Sequence, residues 1–71
     1  MANRQYLLVI ERTEGGFRGY SPDVPECSAV GSTPTETEER YRDALEMYFA
    51  RLVANGQPLP VPKSRATYVT V

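Results

Sequence analysis

The sequence contains no histidine, and this absence excludes several kinds of chemistry. The commonest general base, the serine triad and histidine-based metal sites all need an imidazole. The single cysteine, Cys27, cannot form an intrachain disulfide and has no histidine with which to share a zinc ion. We therefore expect no cofactor, no metal site and no catalytic residue, and we predict that the protein is not an enzyme.

Long apolar runs and an excess of positive charge are also missing. The longest apolar run, residues 6–10, is far shorter than the roughly 20 residues that cross a bilayer, so no membrane association is expected. The first residues lack the pattern of a secretory signal, and a lone cysteine suits a reducing compartment, so we predict a cytoplasmic location. Eight basic and nine acidic side chains create no broad positive field, and direct nucleic-acid binding is not expected.

The first feature that is present is a strand pattern near the start of the chain. Residues 5–12 are rich in aromatic and branched side chains and end at a glycine-containing turn, residues 13–16, which predicts a strand followed by a hairpin. Apolar side chains fall on both faces of this strand: Tyr6, Leu8 and Ile10 on one, Leu7 and Val9 on the other. Such a pattern is typical of a central strand.

Two further short strands are predicted after the turn. Residues 17–21 form the second, and Pro22 ends it because proline cannot donate to a ladder. A turn with prolines at positions 22 and 25 leads to a third strand at residues 27–31. The three strands are predicted to form an antiparallel meander.

A helix follows, with clear signals at both ends. Thr33 can cap it, Pro34 suits its first position, Glu36 completes a capping box, and Gly56 ends it. The apolar stripe comprises Tyr41, Ala44, Leu45, Tyr48, Leu52 and Asn55, widened by Phe49 and Val53. We expect this stripe to lie against the sheet.

The last part of the chain is predicted to return to the sheet. Prolines at positions 58, 60 and 62 impose an extended connector over residues 57–66. Residues 67–71, Thr-Tyr-Val-Thr-Val, have high strand preference and predict a fourth strand. The predicted fold is α+β: a three-stranded antiparallel meander, one long helix and a fourth strand, in the order βββαβ.

This architecture leaves one face of the sheet without a helix. Leu7 and Val9 should lie there, and we predict that another chain covers them, as in a homo-oligomer, either a dimer or a larger assembly. Alternatively, long side chains such as Arg12 and Arg18 shield this face. The edge strands offer a second docking position, since their unpaired backbone groups can accept a strand from a partner.

The carboxylates permit one enzymatic alternative. Glu11, Asp23 and helix acids could converge on a magnesium ion, although a solvated hairpin end and the helix dipole explain them more simply. Cys27 has no activating neighbour in the sequence, which favours a small buried side chain over a nucleophile.

Several segments in a fixed order resemble the HicB-like antitoxin family. They are residues 6–11 with the following Gly16-Phe17, the Pro-Asp-x-Pro-x-Cys run at 22–27, and the Gly-Ser-Thr at 31–33 that leads into the helix. The resemblance covers nearly the whole chain, up to the proline connector. It implies a truncated ribonuclease H-like fold with strand order 3-2-1-4.

The resemblance also implies a function. Proteins of that family bind a small mRNA-cleaving HicA-type toxin and neutralise it, and many carry an additional DNA-binding domain. This sequence resembles their partner-binding domain alone, so residues 1–71 are expected to form a single HicB-like domain with no separate DNA-binding domain.

Five residues are predicted to bind partners: Leu7, Val9, Glu36, Glu39 and Asp43. The two apolar residues belong to the uncovered sheet face, and the three acids would complement a basic toxin surface. Two alternatives remain open, an oligomer of this fold without a toxin and a weak metal-dependent nuclease.

Overall fold

The computed structural model describes residues 4–71 and contains three strands followed by one helix. The strands are β1 (Val9–Thr13), β2 (Gly16–Ser21) and β3 (Val24–Gly31), and the helix is α1 (Pro34–Ala54). The strands pair antiparallel in the order β1-β2-β3. The predicted α+β class, the meander and the helix are therefore confirmed. No helix among the described residues is both long enough and apolar enough to span a bilayer.

The two strand connections show why the meander forms here. At the β1–β2 turn, Gly16 lies directly against the carbonyl of Gly31, where any Cβ would collide with that oxygen. Between β2 and β3 the register shifts after Tyr20, so that Ser21 is opposite Val24. This bulge lets β3 begin at Val24, earlier than predicted, and β3 tolerates Pro25 because it is an edge strand.

Helix α1 begins and ends where its signals predict. The Thr33 side chain accepts a hydrogen bond from the Glu36 backbone N–H at 3.0 Å, and Pro34 is in the first turn. The Glu36 carboxylate reaches back to the Ser32 N–H at 2.6 Å. At the other end the chain leaves the helix through Gly56, whose φ of 70° suits glycine.

The core between α1 and the sheet is small. Its buried apolar members are Val24, Cys27 and Tyr41, and Ser21 and Thr37 are buried beside them. Around them pack the partly buried side chains of Tyr6, Leu8, Ala29, Leu45, Tyr48 and Phe49. The buried Cys27 and the packing of Tyr41, Leu45, Tyr48 and Phe49 are confirmed, but Val53 and Asn55 of the predicted stripe are exposed. The burial of the polar Thr37 was not predicted. A core of this size gives a 71-residue chain little stability of its own.

The predicted fourth strand is not formed in this structure. Residues 57–71 contain no strand, and the side chains of Tyr68, Val69 and Val71 are 98%, 80% and 116% exposed. The predicted order 3-2-1-4 is therefore present only as 3-2-1, and β1 is an edge strand instead of a central one. The first strand was predicted from residue 5, but β1 starts at Val9, and residues 4–8 are not part of the sheet.

Candidate partner-binding site

A large apolar groove lies between the segment that precedes β1 and one flank of α1. Its volume is about 1310 Å³. Residues 4–8 form one wall, the helix flank forms the other, and residues 64–66 lie at one end. The apolar side chains that line it include Tyr6, Leu7, Leu8, Leu45, Phe49 and Val53. Its lining is mostly apolar, so the groove is suited to apolar side chains from another segment or chain.

Aromatic packing and hydrogen bonds hold the two walls in place. The rings of Tyr6 and Phe49 lie 5.3 Å apart between centroids and are tilted by 56°, which joins the segment before β1 to the helix. The Tyr6 hydroxyl and the Arg4 guanidinium both donate hydrogen bonds to the carbonyl of Pro60. These bonds tie the proline connector to the same segment, so the groove is formed by three parts of the chain that are distant in sequence.

Asp23 anchors the end of the connector. Its carboxylate accepts hydrogen bonds from the Lys63 N–H at 3.0 Å, the Ser64 N–H at 2.9 Å and the Ser64 hydroxyl at 2.8 Å. The Ser64 backbone hydrogen bond is the main reason that the pKa of Asp23 is lowered. Residues 63 and 64 are thus fixed at the β2–β3 turn, and residues 65–71 continue the chain from that point.

The two predicted apolar contact residues lie close to this groove. Leu7 is half-buried and lines it. Val9 is also half-buried and opens β1, opposite Tyr20 on β2. They were predicted to lie on the uncovered face of the sheet beneath a second chain; the structure places Val9 on the edge strand β1 and Leu7 in the segment before it.

The three predicted acidic contact residues lie elsewhere, on the outer side of α1. Glu36, Glu39 and Asp43 share one helical face through their spacing, and that face is opposite the buried Thr37 and Tyr41. Glu36 is engaged locally, since it accepts from the Ser32 N–H and pairs with Arg40 at 2.9 Å. The Ser32 bond and then Arg40 lower its pKa. Glu39 and Asp43 are exposed and form no ion pair among residues 4–71.

The open face of the sheet is partly shielded by its own side chains. Arg18 lies over the ring of Tyr20, 4.9 Å from its centroid, and its guanidinium is 3.9 Å from the Glu11 carboxylate. The Tyr20 hydroxyl donates to the same carboxylate at 3.4 Å. The alternative that arginines cover this face is therefore supported for Arg18. Arg12 instead lies over the ring of Phe17, its pairing partner on β2, on the opposite face of the sheet.

The side chains considered for chemistry do not converge. Among residues 4–71, no group of three carboxylates or cysteines is placed to hold a metal ion. Glu11 is paired with Arg18, and Asp23 is bonded to the connector. Burial is the main cause of the raised pKa of the Cys27 thiol, which opposes formation of the nucleophilic thiolate.

Sequence reasoning missed the most extensive feature of this site, the groove itself. The prediction placed residues 67–71 beside β1, which would have filled the space. It also considered Asp23 only as a metal ligand, although a carboxylate in a proline-rich turn can equally bind backbone N–H groups of a returning segment. The unusual presence of apolar residues on both faces of residues 6–10 was the one signal that pointed to an additional neighbour.

One curated protein is similar to this chain. The UPF0150 protein ssr1765 of Synechocystis sp. is 30% identical over 56 residues, which cover 78% of this chain and 71% of that relative. No protein-family model matches the chain, and no solved structure matches it. The identity and the coverage of both sequences show that the chain belongs to the UPF0150 family.

Proposed function

We propose that this protein is a HicB-like antitoxin module that binds and neutralises a small mRNA-cleaving toxin of the HicA type. The observation that carries the proposal is the open β1 edge with its apolar groove, because a chain with so small a core needs other chains to cover such a surface. The HicB-like sequence segments supply the class of partner. The module acts by steric and electrostatic blocking, and it is not an enzyme.

The two sets of predicted contact residues have different partners in this proposal. Leu7 and Val9, at the open edge, contribute to a homo-oligomer in which the fourth strand, residues 67–71, completes the order 3-2-1-4. Glu39 and Asp43 contact the toxin, and Glu36 extends the same acidic face while it caps the helix. A basic, RNA-binding toxin surface is complementary in charge to this face, which favours fast and specific association.

Co-purification with the candidate toxin tests the proposal. The full chain is expressed with a tagged, small basic protein encoded by the neighbouring gene, and the tagged protein is isolated. We expect a stable complex and loss of the toxin's mRNA cleavage. Failure of the purified chain to bind the toxin and to inhibit cleavage would contradict the proposal.

Charge reversal then tests the acidic face. The double variant Glu39→Lys with Asp43→Lys removes two exposed negative charges, and we expect at least tenfold weaker toxin binding. Glu14→Lys is the matched control, because Glu14 is exposed in the hairpin turn away from the helix. Equal binding by the double variant and the control would place the toxin contact on another surface.

An oligomer of this fold without any toxin is the second candidate, and the same open groove favours it. Sedimentation of the purified chain as an oligomer, together with no binding to the neighbouring protein, would support this alternative over the first.

A further inference from the structure

The chain has both an apolar groove and an exposed apolar segment, residues 67–71, that does not line this groove. The groove between residues 4–8 and the flank of α1 is apolar, and β1, which follows residues 4–8 in the chain, has one edge with no neighbour among residues 4–71. Residues 67–71 carry four β-branched side chains, one aromatic side chain and no charged side chain, and all five residue types have high strand preference. Their apolar side chains are almost fully exposed, so they contact almost nothing in their own chain.

We infer that residues 67–71 of one copy add to the β1 edge of a second copy, and that the second copy does the same in return. The product is a strand-exchanged dimer with twofold symmetry, in which each groove holds the terminal strand of the other chain. This inference deepens the homo-oligomer part of the proposed function and rests on it, but it does not depend on a toxin.

The dimensions of the two parts agree. Five extended residues span about 17 Å, which is the length of a five-residue strand such as β1. Val69 and Val71 fall on the same side of an extended strand, as the helix flank with Leu45 and Phe49 requires. Tyr68 falls on the other side, toward the open face of the sheet.

The connector explains why the strand belongs to a second copy. Prolines at 58, 60 and 62 stiffen it, and the bonds from Tyr6 to Pro60 and from Ser64 to Asp23 fix its path. Residues 64–66 line one part of the groove, and beyond them the side chains of Tyr68, Val69 and Val71 are exposed and do not fill it. The radius of gyration is 13.3 Å, compared with about 11 Å for a compact chain of this length, which agrees with such exposure.

Charge argues against the other occupants. The segment of residues 67–71 matches the groove because its side chains are uncharged, whereas a basic toxin surface would match the acidic outer side of α1 better. The rim of the groove carries two acidic side chains, Glu38 and Glu46, and three basic ones, Arg4, Arg42 and, at the connector end, Arg65. Such a rim has no strong preference for a charged partner.

Sedimentation of truncated and substituted chains provides the first test. We expect the intact chain to be a dimer and a chain ending at Ala66 to be a monomer. Val69→Asp should raise the dimer dissociation constant at least about tenfold. Val61→Asp is the matched control, since Val61 is 66% exposed on the connector, and its dissociation constant should match that of the unsubstituted chain.

Cross-linking separates exchange between copies from folding back within one copy. Both cysteines are introduced on a Cys27→Ala background: Val53→Cys on the groove wall of one tagged chain, and Val69→Cys on a chain with a different tag. A short bis-maleimide reagent should join the two differently tagged chains. A chain carrying both substitutions should likewise give cross-linked dimers.

Three results would overturn the inference, and they are distinguishable. Cross-links confined within the doubly substituted chain would show that the segment fills its own groove. A dimer that keeps its affinity after truncation at Ala66 would show that the homo-oligomer exists but is held by another surface. A monomeric intact chain at high concentration would remove the homo-oligomer itself, together with that part of the proposed function.

Discussion

The two edges of the sheet are treated very differently by this chain. The β3 edge is closed: Pro25 has no N–H to offer, and Arg40 donates a hydrogen bond to the Val30 carbonyl at 3.0 Å. Helix α1 packs mostly on β3 and least on β1. The β1 edge has no such cover among residues 4–71. Because the β3 edge is blocked, the β1 edge is the one at which we propose that a partner strand adds.

The largest expected effect comes from breaking the packing on the closed side. A Cβ on Gly31 would lie 2.7 Å from the Thr37 hydroxyl oxygen and 2.8 Å from the Thr37 nitrogen. Gly31→Val should therefore push α1 away from β3 and lower the free energy of unfolding by about 3 kcal/mol. Urea unfolding at fixed protein concentration measures this. Gly15→Ala is the control, because nothing lies within 4 Å of its Cβ position, and it should leave the stability nearly unchanged.

A smaller loss follows from removing the helix cap next to β3. Thr33→Ala deletes the side chain that accepts from the Glu36 N–H, and the free energy of unfolding should fall by about 1 kcal/mol. Thermal or urea unfolding gives the value. Thr35→Ala changes an exposed threonine in the first turn of the helix that does not cap it, so an equal loss there would show that the cap is not the cause.

Opening the closed edge should cost less stability but change association. Arg40→Ala uncovers the Val30 carbonyl and removes the ion pair with Glu36, so we expect a smaller stability loss than for Thr33→Ala. Because β3 then presents an unblocked edge, assemblies larger than the dimer should increase in light scattering. Arg51→Ala removes an exposed arginine of the same helix that neither lines the groove nor bonds to the β3 edge, and it should not produce such assemblies.

The smallest expected effect concerns Asp23, whose carboxylate anchors the connector that precedes residues 67–71. The pKa of Asp23 is lowered, chiefly by the Ser64 backbone bond, so its stabilisation is complete above the ordinary aspartate pKa and is lost as pH falls through the lower folded-state pKa. The protection factor of the Ser64 amide, which corrects for the pH dependence of intrinsic exchange, should fall in that acidic range while the helix stays protected. Asp23→Asn should show the faster exchange already at neutral pH, and an unchanged rate would contradict the anchoring role.

Much of the fold was predictable from local signals. The hairpin, the boundaries of the helix and the burial of Tyr41 and Cys27 followed from turn chemistry, capping residues and helical spacing. The start of β3 was not predicted, since Pro25 in isolation indicates a turn and is tolerated only because the strand is at an edge. The complete burial of Thr37 was not predicted either. A polar side chain is tolerated there because the Thr37 hydroxyl donates a hydrogen bond to the Thr33 carbonyl.

The candidate site was predictable only in part. Leu7 and Val9 were expected on a sheet face that the helix leaves open; in the structure Leu7 lines the groove beside α1, and Val9 is half-buried opposite Tyr20. Whether they, Glu36, Glu39 and Asp43 contact partners stays a prediction. The role of Asp23 depends on Ser64, 41 residues away in the chain, and no local pattern encodes such a contact.

Sequence alone determined the first hairpin and the helix with its boundaries, since backbone preferences, caps and the spacing of apolar residues act over a few positions. Only the tertiary structure decided which strand has a free edge, that Asp23 holds the connector, and that residues 67–71 stay outside their own groove. Those outcomes depend on how distant segments compete for the same surface, and that competition is resolved only when the whole chain has packed.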